Sequence, residues 1–280
     1  MALSLNTNIG AMAALQTLNA SNRSMETTQS RINTGLNVAS TKDDSAKFTI
    51  AQQLRGDVGG LASVTSSLNN AKSVSDVAVS GTEQISDILN KMKALVAQTE
   101  GADSESKERI GEDFKAYQSQ IKNIITSSAF NGVNLLAGTS AGGSSTTALI
   151  SLQGSDGDST TWDFEKLSLD NQDLTTKLAT ITGSGEAVTG SGTMSDLEDA
   201  FGSVQDVLST LGANARRIED QLVFTSKLSD TITSGIGNMV DADLAKESAN
   251  LQSLQVKQQL GVQALSIANQ APQTLLSLFR

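Results

Sequence analysis

The sequence predicts a mainly α fold: a long antiparallel coiled-coil or helical rod formed by both chain ends, with a small β-hairpin and loop insert in the middle. Three observations carry this. Apolar residues recur at steps of three and four along four long stretches, 5–36, 61–95, 197–239 and 244–279. The chain has a single proline, Pro272, and 3% aromatic residues, which suits slender helical packing better than a thick globular core. Between Val133 and Ser155 there is no charged residue, and Gly, Ser and Thr dominate.

The first helix is expected over 5–36, with Leu5, Ile9, Met12, Leu15 and Leu18 lining one face and Asn22, Met25, Gln29, Ile32 and Leu36 continuing it. Some of these seam positions are amides, which can fix register by hydrogen bonding at a cost in stability. The second helix follows Leu61, Val64, Leu68, Ala71, Ala78, Ile85, Ile88, Met92 and Leu95, and breaks at Gly101 to Ser104. Asp103 or Ser104 can cap the third, which carries Ile110, Phe114, Tyr117, Ile121 and Ile124.

In the insert, 148–152 and 162–167 read as short strands, and Gly154 to Asp158 as the turn between them. Helical spacing resumes at Leu197, Phe201, Val204, Leu208, Leu211, Ala215, Ile218 and Leu222, blurs at Thr225, and returns near Leu228. The last helix follows Leu244, Leu251, Leu254, Gln258, Gly261, Leu265, Ala268, Leu275 and Phe279. A helix of 35 residues is about 50 Å long and cannot bury its stripe within itself. The rod stripes can serve each other as core. For the two ends the partners must include other chains, so the expected polymerisation contacts are Leu5, Ile9, Met12, Leu15, Leu18, Met25, Ile32, Leu251, Leu254, Leu265, Leu275 and Leu278.

Composition removes whole classes of chemistry. There is no Cys and no His, so disulfides, the commonest metal ligands and His-based triads are excluded, and no cofactor or metal is expected. The net charge is −10. Residues 1–60 hold five basic and four acidic residues and 241–280 hold three of each, so the acidity lies between them. Neutral ends and an acidic middle suggest buried ends and an exposed body. An acidic body argues against nucleic-acid binding, which needs basic patches. The first residues carry no Sec-type signal pattern, and no stretch has the roughly 20 apolar residues of a membrane span.

Two motifs have weak chemical readings. Ser104 with Lys107, and Ser119 with Lys122, have the spacing of a Ser/Lys hydrolase pair, but such short matches carry little weight and surface positions are the better account. Asp156-Gly157-Asp158 lacks the later ligands of a Ca²⁺ loop.

Short motifs at both ends resemble the bacterial flagellins. They are Ser4-Leu5-Asn6-Thr7-Asn8, Ser30-Arg31-Ile32-Asn33-Thr34-Gly35-Leu36-Asn37 with Ala39 to Asp44, Phe130-Asn131-Gly132-Val133-Asn134-Leu135-Leu136, Leu211-Gly212-Ala213-Asn214, Asn269 to Gln273, and the Leu/Phe-rich tail Leu275 to Arg280. The likeness covers about 1–137 and 195–280, and the insert and the region of Phe48 look most like the short flagellins of alphaproteobacteria.

The resemblance implies a non-enzymatic structural subunit that self-polymerises into the extracellular filament of the bacterial flagellum, used for swimming motility. It implies three regions: a terminal coiled coil (1–40 and 240–280) lining an inner tube, a helical rod (41–137 and 195–239), and a variable insert (138–194). It implies export without a cleaved signal peptide, through an export chaperone and the flagellar type III export apparatus. The expected partners are the chain itself and the flagellar cap and hook–filament junction proteins. A hook–filament junction protein of the same flagellum is the alternative. Lys91, Leu95 and Gln98 align with the strip that some flagellins present to Toll-like receptor 5. Ala94 stands where that strip carries Glu, so weak or absent activation is expected.

Overall fold

The computed structural model describes residues 8–151, 165–183 and 190–278. Along them run α1 (Ile9–Thr34), α2 (Ser45–Thr99), α3 (Ser104–Ser127), β1 (Thr146–Leu149), β2 (Lys166–Leu169), α4 (Leu174–Lys177), α5 (Ala179–Gly183), α6 (Gly190–Val240) and α7 (Leu244–Leu278). The chain forms two compact units, residues 1–56 with 231–280, and residues 57–230.

The 57–230 unit holds one continuous apolar core. Val64, Leu68, Ile85, Leu89 and Met92 of α2 meet Phe114, Ile121 and Ile125 of α3 and Leu197, Val204, Leu211 and Ile218 of α6, all buried. The three-and-four spacing of these residues is why they share faces. Fully burying each such side chain is worth roughly 1.5–3 kcal/mol. Two ion pairs on the rim, Lys72 with Glu219 at 2.5 Å and Lys93 with Glu198 at 3.6 Å, fix α2 and α6 as antiparallel. Lys93 also lies 5.7 Å above the Phe201 ring. The α6 seam does not break at Thr225. That residue is buried, and its hydroxyl donates to Gln221 O at 2.8 Å, so the polar group is satisfied within its own helix.

The chain leaves α3 through a tight turn. Phe130 and Val133 exchange two backbone hydrogen bonds of 2.9 Å, while Asn131 (φ 48°) and Gly132 (φ 79°) both adopt left-handed backbone, the geometry that favours Asn-Gly. Asn134 then organises the segment after the turn. Its amide donates to Ile125 O at 2.7 Å and its carbonyl accepts from the Leu136 and Ala137 N–H groups. Gln172 N–H and Leu174 N–H donate to Leu135 O and Leu136 O. Leu135, Leu136 and Ala137 are fully buried, with the Leu135 and Leu136 carbonyls and the Leu136 and Ala137 N–H groups hydrogen-bonded.

The strands pair antiparallel, Thr146 with Leu169 through Leu149 with Lys166. Among the described residues they overlap the expected strands at 148–149 and 166–167, and Leu167 and Leu169, which alternate into the core, extend the pairing to Leu169; residues 152 and 162–164 of the expected strands lie outside the described residues. The expected turn Gly154 to Asp158 lies outside the described residues.

The 1–56 and 231–280 unit is an antiparallel pair of α1 and α7. The first turn of α1 is capped by Asn8, whose carbonyl oxygen accepts from Ala11 N–H at 3.0 Å. Its last turn closes at Gly35, in left-handed backbone at φ 72°. The two crossings, 35–44 and 240–243, are stitched together. Leu36 bridges Asp241, Asn37 and Val38 N–H groups donate to Val240 O, and Ala242 N–H donates to Gly35 O. The loop before α2 is held by the Asp43 carboxylate, which accepts from Ser40 N–H (2.9 Å), Ser40 Oγ (3.1 Å) and Ala39 N–H (3.1 Å). Those bonds, led by the Ser40 N–H, hold Asp43 below the usual carboxylate range.

Candidate polymerisation surface

α1 has two apolar faces. Ala11, Ala14, Leu18, Met25 and Ile32 are half-buried and turn toward α7. Ile9, Met12 and Leu15 do not share that face and are exposed by 77%, 65% and 48%. The reason lies in the spacing. From Ile9 to Leu18 the chain takes three steps of three residues, and at about 100° per residue these rotate the stripe by roughly half a turn. Residues that read as one seam therefore end on opposite sides of the helix. With Gln16, Asn19 and Arg23, the exposed three line a shallow open groove on α1.

On α7, Leu251, Leu254 and Leu265 are half-buried toward α1, in phase with Gln258, Gly261 and Ala268. Its outer side carries Val256, Leu260 and Ile267, exposed by 55%, 58% and 68%. Sequence reasoning passed over these three; their steps of four and seven are the signal that would have found them. Leu5 and the side chains of Leu275 and Leu278 lie outside the described residues. The unit thus presents an apolar stripe on each helix that the pairing of α1 with α7 leaves uncovered. At about 25 cal/mol per Å² of apolar surface, covering such stripes is a driving force for association.

Polar contacts cross the inner seam. Gln258 Nε2 donates to Asn22 Oδ1 at 3.0 Å, Asn8 Nδ2 donates to Ala268 O at 2.7 Å, and Arg31 Nη1 donates to Glu247 Oε1 at 3.4 Å. Glu247 is buried.

Elsewhere, Lys91 and Gln98 are exposed and Leu95 is half-buried, all on one face of α2 beside the exposed Ala94. Ser104, Lys107, Ser119 and Lys122 are exposed on α3. Among the described residues no group of three or more acidic side chains is placed to hold a metal ion, and no helix is long and apolar enough to cross a membrane.

Comparison with known proteins agrees with this architecture at both ends. Residues 5–141 match the bacterial flagellin N-terminal helical region, and residues 194–279 match the bacterial flagellin C-terminal helical region. The chain is 43% identical to Flagellin FljK of Caulobacter vibrioides over 279 residues, 99% of this chain and 98% of that one. It is 35% identical to Flagellin of Brucella melitensis over 285 residues, 99% of each chain. The crystal structure of Bacillus cereus flagellin aligns with a TM-score of 0.46 at 20% identity, covering 55% of this chain and 85% of that one. With both terminal regions matched and full-length relatives at this identity, the chain belongs to the bacterial flagellin family.

Proposed function

We infer that the chain is the structural subunit of a bacterial flagellar filament, and that it polymerises through its terminal α1–α7 pair. The observation that carries this is the pair of uncovered apolar stripes, Ile9, Met12 and Leu15 on α1 and Val256, Leu260 and Ile267 on α7. They lie on the elements that the family matches at each end. An isolated two-helix pair with small and polar seam residues is marginal. Repeated side-by-side packing of copies covers the stripes and supplies the missing burial.

In this reading residues 1–40 and 240–280 form the inner tube of the polymer, 41–137 with 195–239 the rod, and 138–194 the variable outward part. Leu5, Leu275 and Leu278 join the same contacts. The filament stands outside the cell, reached through the flagellar type III export apparatus with a chaperone and without a cleaved signal peptide. It grows between the hook–filament junction proteins and the cap. The strip of Lys91, Leu95 and Gln98, with Ala94 beside it, makes a weak receptor ligand at most.

The test is polymerisation of the purified chain in salt, read by sedimentation and electron microscopy. Long filaments are expected, and deletion of residues 1–20 is expected to leave a soluble chain that no longer sediments. Polymers that stop at a short ring would instead mark a junction protein, and filaments from the deletion variant would refute the role given to the ends.

A further inference from the structure

The apolar seam between α1 and α7 does not select one axial register. It is built from Ala11, Ala14, Leu18 and Met25 on one side and Leu251, Leu254, Leu265 and Ala268 on the other. A slip of seven residues returns each helix to nearly the same face, so apolar residues again meet apolar residues. Besides the backbone bonds that tie 35–38 to 240–242, four features along the two helices do not survive that slip. The Asn22–Gln258 amide pair separates, as does the bond from Asn8 to Ala268 O. The Arg31–Glu247 pair separates too, which leaves the buried Glu247 carboxylate without its guanidinium, a costly state.

The fourth feature is steric. A Cβ added at Gly261 would lie 3.3 Å from Leu18 Cδ1, so the Leu18 side chain packs against the bare face of Gly261 and would have to give by a few tenths of an ångström if a methyl stood there. Slipped by seven, Leu18 faces Leu254 or Ala268 in place of Gly261.

We propose that Asn22 with Gln258 and Arg31 with Glu247 are positioning residues that set the register of the terminal pair, with Leu18 and Gly261 as its steric key. Their role is specificity. Apolar residues in place of the amides would pack more strongly and align less uniquely, since a polar pair at a seam position trades stability for register. The consequence for assembly rests on the filament reading above: a slip of seven residues displaces the outer stripe of α1 against that of α7 by about 10 Å, and the composite surface presented to neighbouring copies is lost.

Because the chain has no cysteine, introduced pairs report register cleanly. Leu18 Cβ lies 3.8 Å from an ideal Cβ at Gly261, and Ala268 Cβ lies 3.9 Å from one at Gly10, both within disulfide range. G10C/A268C reports the native register with the steric key in place and L18C/G261C reports it without the key; S21C/L251C and I32C/L254C report slips of seven in either direction with Leu18 and Gly261 intact. Each pair is placed in the full chain, polymerised in salt, oxidised mildly, and read as intramolecular bridges by non-reducing electrophoresis and peptide mass.

In the otherwise unchanged chain, the two native reporters close and the two slipped reporters close only in a small fraction of chains. Adding N22L/Q258L raises the slipped bridges about tenfold, the ratio expected from losing one partly buried hydrogen bond. Far-UV circular dichroism checks that this variant is as helical as its parent. The exchanged pair N22Q/Q258N restores the native pattern, which separates register setting from a general loss of structure.

Slipped bridges as abundant as native ones in the unchanged background overturn the proposal. So does a native-only pattern in a helical N22L/Q258L chain, a loss of helix in that chain, or a failure of the exchanged pair to rescue. Sedimentation is scored separately: a chain that bridges in native register but never pellets refutes the filament reading and leaves the register assignment standing.

Discussion

Gly59 and Gly81 lie in the same helix, α2, and a methyl group added at each is expected to act with opposite sign. At Gly59 nothing lies within 4 Å of the added Cβ, so Gly59→Ala only removes the backbone freedom of glycine and stabilises by about 0.5–1 kcal/mol. At Gly81 the Cβ would collide with Ser128 Oγ and sit 3.1 Å from Leu136 Cδ1. Gly81 is thus where α2 lets the end of α3 and the buried Leu136 approach, and Gly81→Ala is expected to cost about 1–3 kcal/mol. Denaturant melts of the two variants check the pair; a Gly81→Ala chain as stable as its parent would remove this close approach from the account.

Charge effects at this scale are small and follow acid. Asp103 is held below the usual carboxylate range by the Ser106 hydroxyl and then the Ser106 N–H, and Glu219 by its bond to Lys72 and then by the Lys72 charge. Asp43 is lowered likewise. A carboxylate lowered in the folded chain contributes stability above its unfolded value, and that contribution is lost as pH falls through the folded value. The melting temperature of the soluble chain is therefore expected to stay level above about pH 5 and to drop below about pH 4. Asp103→Ala should lower the neutral-pH plateau and shrink the acid drop; an unchanged acid limb in this variant would remove the cap from the explanation. All three groups are exposed, so salt weakens the effect.

At the scale of elements, the legible parts were those whose spacing alone sets their packing. The seams of α2, α3 and α6 needed only partners of like periodicity, and Val64, Phe114 and Leu211 are buried where the pattern put them. The first sixteen residues of α2, from Ser45, were not legible, because Gly56, Gly59 and Gly60 break the apolar pattern. Nor were α4 and α5: they depend on bonds from Leu174 N–H to Leu136 O and from Gln118 Nε2 to Ile181 O, contacts distant in sequence. At the ends the apolar positions were legible but not their sorting into faces, because three steps of three look like one seam until the half-turn drift is followed. That sorting is testable. Replacing Ile9, Met12 and Leu15 by Ser removes the outer stripe of α1 and leaves Leu18, Met25 and Ile32 against α7. The triple variant is expected to stay helical and soluble and to fail to pellet in salt. Filaments at the parent's yield would show that this stripe is not a contact.

At the scale of the molecule, burial is unequally shared. Every residue of the continuous apolar core, from Val64 to Ile218, belongs to the 57–230 unit. In the other unit the buried apolar residues are few, Val38, Ala51, Ile236 and Val240 among them, and the α1–α7 seam itself is only half-buried. Local opening is cheapest where few apolar contacts are lost, so the soluble chain should open at α1 and α7 long before it opens at its core. Polymerisation reverses this, since association stabilises whichever segment it buries. Limited proteolysis read by intact mass should therefore trim soluble chains from both ends and leave a resistant fragment containing 64–125 and 197–218. The same protease dose on salt-grown polymer should leave the ends uncut, with protection lost when the polymer is dissolved. First cuts inside 64–125 in the soluble chain, or equal trimming of soluble and polymerised protein, would contradict a subunit that completes the burial of its ends only in the company of its copies.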